Sequence, residues 1–175
     1  MRSSKAEQLR TALMEDLRYE KKHYILASEV KYNRCLSDIL SIRNNLIHEI
    51  EVKISKADFI KDFSKKLGSK RYRNQENKHS VYTKSASSKK FVPHYFWFAV
   101  PENLAEYAEG YCLANGYEKY GIIIWAPGKP IRYHKNPRKL TSVALNKRVE
   151  DKIIKRATSE LVSIKRDYMK ALLDA

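Results

Sequence analysis

The 175-residue sequence predicts one α/β domain. Three observations carry that expectation. Three short segments rich in Ile, Val and Leu follow one another across polar turns, as strands do. Helical apolar spacing precedes and follows them. Two further apolar runs, 94–100 (HYFWFAV) and 120–126 (YGIIIWA), have the length of buried strands and are too short for helices. Apolar residues make up 43% of the chain, with five Gly and five Pro, so there is material for one core and little for a disordered or fibrous chain.

The elements follow in order. Ser4-Lys5-Ala6-Glu7 has the form of a capping box, and Ala6, Leu9, Leu13 and Leu17 continue it at helical spacing, predicting a helix over 5–21. Strands are expected at 23–31, 35–43 and 46–54, the last two joined at Asn44-Asn45. Ser55 then caps a helix carrying Phe59 and Phe63 and ending near Gly68. Residues 69–90 lack sustained apolar periodicity and read as a long basic connection with a short helix around 78–82. After the strand at 94–100, Pro101 sits where an N1 proline would open a helix over 102–115, closed by Gly116. The strand at 120–126, the Pro127-Gly128 turn and a short strand at 131–134 complete a core spanning 5–135. A long basic helix over 141–173 ends the chain. Its stripe of Leu145, Val149, Ile153, Ala157, Leu161, Ile164, Tyr168 and Leu172 suits core or homodimer packing.

The net charge of +15 is segmental. Residues 64–90 carry nine Lys/Arg against one acid, and residues 129–175 carry thirteen against five. A near-neutral body with two cationic segments fits a polyanion partner, since Lys/Arg neutralise phosphates and release condensed counterions. Nucleic acid is expected ahead of anionic lipid, because the second segment lacks the Trp/Phe-rich face of an interfacial helix. Candidate contacts are Lys70, Arg71, Arg73, Lys78, His79, Lys84, Lys89 and Lys90. Cys35 and Cys112 belong to no zinc-like cluster, the N-terminus has no secretory h-region, and no run spans a bilayer, so a cytoplasmic protein with no membrane partner is expected.

Chemistry concentrates on the third strand. Alternation places Ile47, Glu49, Glu51, Lys53 and Ser55 on one face and Leu46, His48, Ile50, Val52 and Ile54 on the other. Two carboxylates and a lysine aligned between apolar segments are expensive unless they meet a cation, a substrate or solvent. Asp38 interrupts the apolar second strand, and a hairpin around Asn44-Asn45 would bring it to Glu51. Two hard oxygen ligands suit Mg²⁺, with Mn²⁺ able to substitute, and Lys53 would stabilise charge or position water. Glu29 is a third-ligand candidate, as are Glu15 and Glu20, each with a solvated carboxylate as the plainer reading. Glu49 is expected farther from Lys53, and His48 is expected in the core.

Asp38 with Glu51-Val52-Lys53 resembles the D…(D/E)xK signature of PD-(D/E)xK phosphodiesterases, with Ser37 in place of the usual proline. The run Glu51-Val52-Lys53-Ile54-Ser55, Asp58-Phe59, Asp62, Lys78-His79 and Tyr82 is similar to that of MmcB-like, DNA-repair-associated members, as are 95–101 and 120–123. The resemblance implies a restriction-endonuclease-like core in α-βββ-α-β order, a mixed central sheet flanked by helices, and Mg²⁺-dependent cleavage of DNA, favoured over RNA, in repair or in phage or mobile-element DNA processing. The alternative is a catalytically inactive nucleic-acid-binding module on the same fold.

Overall fold

The computed structural model describes residues 4–32, 35–65, 77–83 and 92–173. Helix α1 (Lys5–Glu15) starts at Ser4, whose Oγ accepts the Glu7 N–H at 3.2 Å, and continues into a π-helical turn at Asp16–Glu20. Strands β1 (Ile25–Tyr32), β2 (Cys35–Arg43) and β3 (Leu46–Val52) follow. Next come α2 (Lys56–Asp62), α3 (Lys78–Thr83), β4 (Tyr95–Pro101), α4 (Ala105–Ala114), β5 (Gly121–Trp125), β6 (Arg132–Lys135) and α5 (Lys147–Leu173).

The six strands form one sheet in sequence order. β2 runs antiparallel to both β1 and β3, β4 and β5 continue parallel to β3, and β6 returns antiparallel. Asn44 and Asn45, at φ 50° and 60°, make the tight turn that closes the β2–β3 hairpin. Both parallel connections contain helices, α2 and α3 before β4 and α4 before β5, as a parallel crossover requires.

Alternation along the strands feeds two faces. On one, Leu9, Leu13 and Leu17 of α1 cover Ile39, Ile50, Val52, Trp97, Ala99 and Ile123. On the other, Phe59 of α2, Tyr82 of α3 and Ala108 and Cys112 of α4 cover Phe96, Phe98 and Ile122. Val149 and Ile153 of α5 cover Ala27, Val30, Leu40, Ile42 and Ile47.

Three boundaries depart from the sequence expectation. α2 ends at Asp62, not near Gly68, because the Phe63 N–H turns to the Ile60 carbonyl at 3.1 Å and closes the helix. α5 starts at Lys147, not 141, because the preceding segment is tethered in an extended path: the Leu140 N–H donates to the His94 carbonyl at 2.9 Å, and His94 Nε2 meets the Val143 carbonyl at 2.9 Å. Asn146 Oδ1 then accepts the Arg148 N–H at 2.9 Å and opens the helix. Pro101 ends β4 with extended ψ, and a 3₁₀ turn at Glu102–Leu104 separates it from α4, so it is not an N1 proline. The long apolar stripe also divides. Val149 and Ile153 are buried, whereas Leu161, Ile164, Tyr168 and Leu172 are exposed, because the 27-residue helix outruns the sheet beneath it. No helix among the described residues is long and apolar enough to cross a membrane.

Candidate active site

The site forms where β2 and β3 part. Their pairing ends at Ile39 opposite Ile50. Beyond that point the Lys53 N–H donates to the Ala99 carbonyl of β4 at 2.9 Å, which turns the Val52 N–H the other way, toward β2. Asp38 takes that stranded donor, Oδ2 accepting it at 2.8 Å. A carboxylate in an apolar strand is thereby fixed at the tip of the hairpin's open end.

Glu51 is wholly buried, and Lys53 is nearly so. Lys53 Nζ lies 2.8 Å from Glu51 Oε2 and 4.0 Å from Asp38 Oδ2, so the three residues expected to form a site do converge. The cluster is larger than that triplet. Lys53 Nζ is also 2.8 Å from Oδ1 of Asp62 at the end of α2, and Lys65 Nζ stands 3.0 Å from Glu51 Oε2 and 2.5 Å from the same Asp62 oxygen. From α3, Lys78 Nζ reaches Glu49 and Glu51 at 2.6 Å each. Glu49 also accepts from the Tyr82 and Ser37 hydroxyls at 2.7 and 2.8 Å. Asp62 Oδ2 accepts from His79 Nε2 at 2.8 Å, which leaves His79 Nδ1 to accept from the Tyr120 hydroxyl at 3.0 Å.

The charges are tuned by this company. Burial pushes the Asp38 carboxyl up, and the neighbouring Glu51 charge adds to it, against the pull of Lys53 and the Val52 N–H. For Glu51 burial acts in the same sense, but Lys78, Lys53 and Lys65 outweigh it and hold the carboxyl below its ordinary value. Asp62 is likewise pulled down despite burial, by His79 and the lysines. Lys53 and Lys78 are raised: burial opposes their charge, and Glu51 and its neighbours overcome it. Burial lowers the His79 pKa, against the opposing pull of Asp62. Carboxylates and ammonium groups are closely balanced, which lets them remain charged away from water.

Some expected roles are moved. Lys78 and His79, expected to touch nucleic acid, are wholly buried inside the cluster, because α3 packs them in phase with Val81 and Tyr82. Glu29, the third-ligand candidate, sits at φ 50° on the edge strand, exposed and paired with Arg10 at 3.5 Å and Arg156 at 3.6 Å. Glu15 and Glu20 are exposed on the far side of the sheet. Lys70, Arg71, Arg73, Lys84, Lys89 and Lys90 lie outside the described residues. Asp62 and Lys65 went unassigned as site residues in the sequence. Asp62 follows Phe59 at helical spacing, a signal that it shares that residue's buried face.

The oxygens of Asp38 and Glu51 are hard donors suited to Mg²⁺ or Mn²⁺. Among the described residues no three His, Cys, Asp or Glu side chains are spaced as a metal cage, so water and substrate oxygens would complete such a shell. Among the described residues Lys65 is the partner of Glu51 at the open side, 37% exposed, and it can withdraw toward solvent. The residues fit a cation on that condition.

No family model matches the chain, and no curated protein matches it. It is similar in fold to a solved structure of the SPO1766 protein of unknown function from Silicibacter pomeroyi, with a TM-score of 0.59 and 15% identity over 99% of this chain and 94% of that one.

Proposed function

We propose that the protein is a metal-dependent phosphodiesterase acting on DNA, on a restriction-endonuclease-like core. The observation that carries this reading is the convergence of Asp38, Glu51 and Lys53 where β2 and β3 part. The antiparallel β1–β2–β3 meander followed by parallel β4 supports it, as do the two cationic segments.

Asp38 and Glu51 would hold the divalent ion, which lowers the pKa of bound water and polarises a phosphoryl oxygen. Lys53 is kept charged by Glu51 and Asp62, and its Nζ stands between the two carboxylate ligands, placed to neutralise charge that develops on the phosphorus oxygens. Asp62, fixed by His79 and Tyr120, orients Lys53. Lys65, paired with Glu51 at the open side, would have to give up that contact for an ion to be held there.

The test incubates the purified full-length chain with labelled single- and double-stranded DNA and RNA in Mg²⁺, Mn²⁺ and EDTA. Cleavage is expected with either metal and not with EDTA. Asp38→Asn, Glu51→Gln and Lys53→Met should each reduce it by about 100-fold or more while DNA binding persists. Wild-type cleavage by a folded Lys53→Met protein would overturn the mechanism. One observation favours a second reading. Lys78, wholly buried, closes both glutamates as a structural ion cluster would, and binding without cleavage in any metal, indifferent to Asp38→Asn, would mark an inactive nucleic-acid-binding module.

A further inference from the structure

The opposite face of the sheet carries a cavity of about 430 Å³ that the carboxylate chemistry does not use. β4 separates the two regions: Phe96 and Phe98 point to the carboxylate side, and Trp97 points to the α1 side, where it lines the cavity.

The floor is aromatic and held in place. Trp97 lies flat over Gly121 of β5, where any Cβ would collide with the indole, and its Nε1 donates to His48 Nδ1 at 3.2 Å. Accepting there makes Nε2 the protonated nitrogen of His48. The His48 ring is near-parallel to the indole, at 19°, and packs on Tyr95 with centroids 4.8 Å apart. Tyr133 of β6 forms a wall edge-on to Trp97 at 5.5 Å, its hydroxyl anchored on Asp16 Oδ2 at 2.6 Å.

The rim is cationic. The π-helical turn ends α1, and Lys22 follows in the left-handed region at φ 59°, which leaves Lys21 at the mouth with Nζ 4.3 Å from the Tyr133 centroid. Arg43 stands exposed on the other side, at the start of the β2–β3 turn. None of the described residues lining the cavity is acidic. A preformed aromatic floor with two cations at its mouth and a volume within the range of small-ligand pockets suits a flat ring carrying an anion.

We infer that this cavity binds one nucleotide, its base against Trp97, His48 and Tyr95 and its phosphate between Lys21 and Arg43. The inference goes beyond the metal-dependent reading and stands without it, since none of these side chains belongs to the carboxylate cluster. The same chemistry is offered by a free mononucleotide and by one nucleotide of a single strand.

The test follows the Trp97 indole N–H resonance in the full-length protein, with EDTA present, during titration with adenosine monophosphate, adenosine and inorganic phosphate. Adenosine monophosphate is expected to move it saturably, about tenfold or more tighter than either of the others, because base and phosphate contribute together. Arg43→Gln and Lys21→Gln, both at the solvent-facing mouth, should each remove most of that advantage and leave adenosine unchanged. A short single-stranded oligonucleotide that moves the same resonance and competes identifies the occupant as part of a strand, and one that does not identifies a free mononucleotide. Either result supports the site. An unmoved Trp97 signal, inorganic phosphate equal to adenosine monophosphate, or unaltered binding by both variants would overturn it. Because no metal is present, each outcome is separate from the fate of the cleavage mechanism.

Discussion

Lys78 Nζ stands 2.6 Å from Oε1 of Glu51 with both side chains wholly buried, which locks α3 to β3 across 27 positions of sequence. The same ammonium holds Glu49, so this six-residue helix is fixed by charge as well as by the hydrogen bonds of His79 and Tyr82 and the packing of Val81.

Lys78→Met should therefore destabilise the fold by about 3–5 kcal/mol at neutral pH, since it leaves two glutamates buried with less compensation. Removing the cation raises the folded-state pKa of Glu51, so the loss should be largest at neutral pH and shrink as the solution is acidified and that carboxyl protonates. Urea denaturation of wild type and variant at pH 7 and pH 5 reads this. Adding Glu49→Gln to Lys78→Met should recover part of the loss.

The wild-type protein should itself lose stability in acid, in two stages. Burial, with Arg43 nearby, lowers His23 to about 4, and burial with His23 and Arg43 lowers His48 to about 3, both from 6.5. A folded pKa below the unfolded one means that the unfolded chain binds protons first. Stability present above pH 6.5 is then lost as pH falls toward those values, by about 2 kcal/mol for His48 between pH 7 and 5. Below about pH 4 the depressed carboxyls of Glu51 and Asp62 act in the same direction, whereas the raised Asp38 opposes them. His48→Gln should flatten the first stage of the pH–stability curve and leave the second.

Lys65→Met should tighten Mn²⁺ binding by about tenfold, because it removes an ammonium 3.0 Å from a ligand oxygen at the open side of the site. Paramagnetic line-broadening on titration would measure it. Unchanged affinity would mean that Lys65 does not compete with the ion.

Along α5 the cost of truncation should fall abruptly. Ile153→Ala, at a wholly buried position against β1 and β2, should cost about 3 kcal/mol. Leu172→Ala, more than half exposed near the helix end, should fall within about 0.5 kcal/mol of wild type. Thermal unfolding of the two variants reads the difference.

Much of the frame was legible locally. The order of the elements follows from apolar periodicity along the chain, and the two faces of β3 and the approach of Asp38 to Glu51 and Lys53 follow from alternation and one tight turn within sixteen residues. Lys78 and His79 could be marked as notable but not placed. Their lack of apolar company in the sequence suggested a surface, and only the packing of α3 under β4 turned them inward.

The sequence by itself determined which elements form, in what order, and which carboxylates share a strand face, because side-chain periodicity is a property of neighbouring residues. The tertiary structure alone decided what those carboxylates meet. Asp62 arrives from α2, Lys65 from the turn after it and Lys78 from α3, while Glu29 is drawn to Arg10 and Arg156 at the sheet edge. The cavity beside Trp97 also exists only once β3, β4, β6 and the end of α1 are assembled. The physical reason is common to all of these: a buried charge is stable only beside its counter-charge, and the partner is chosen by proximity in the packed core, which no local pattern encodes.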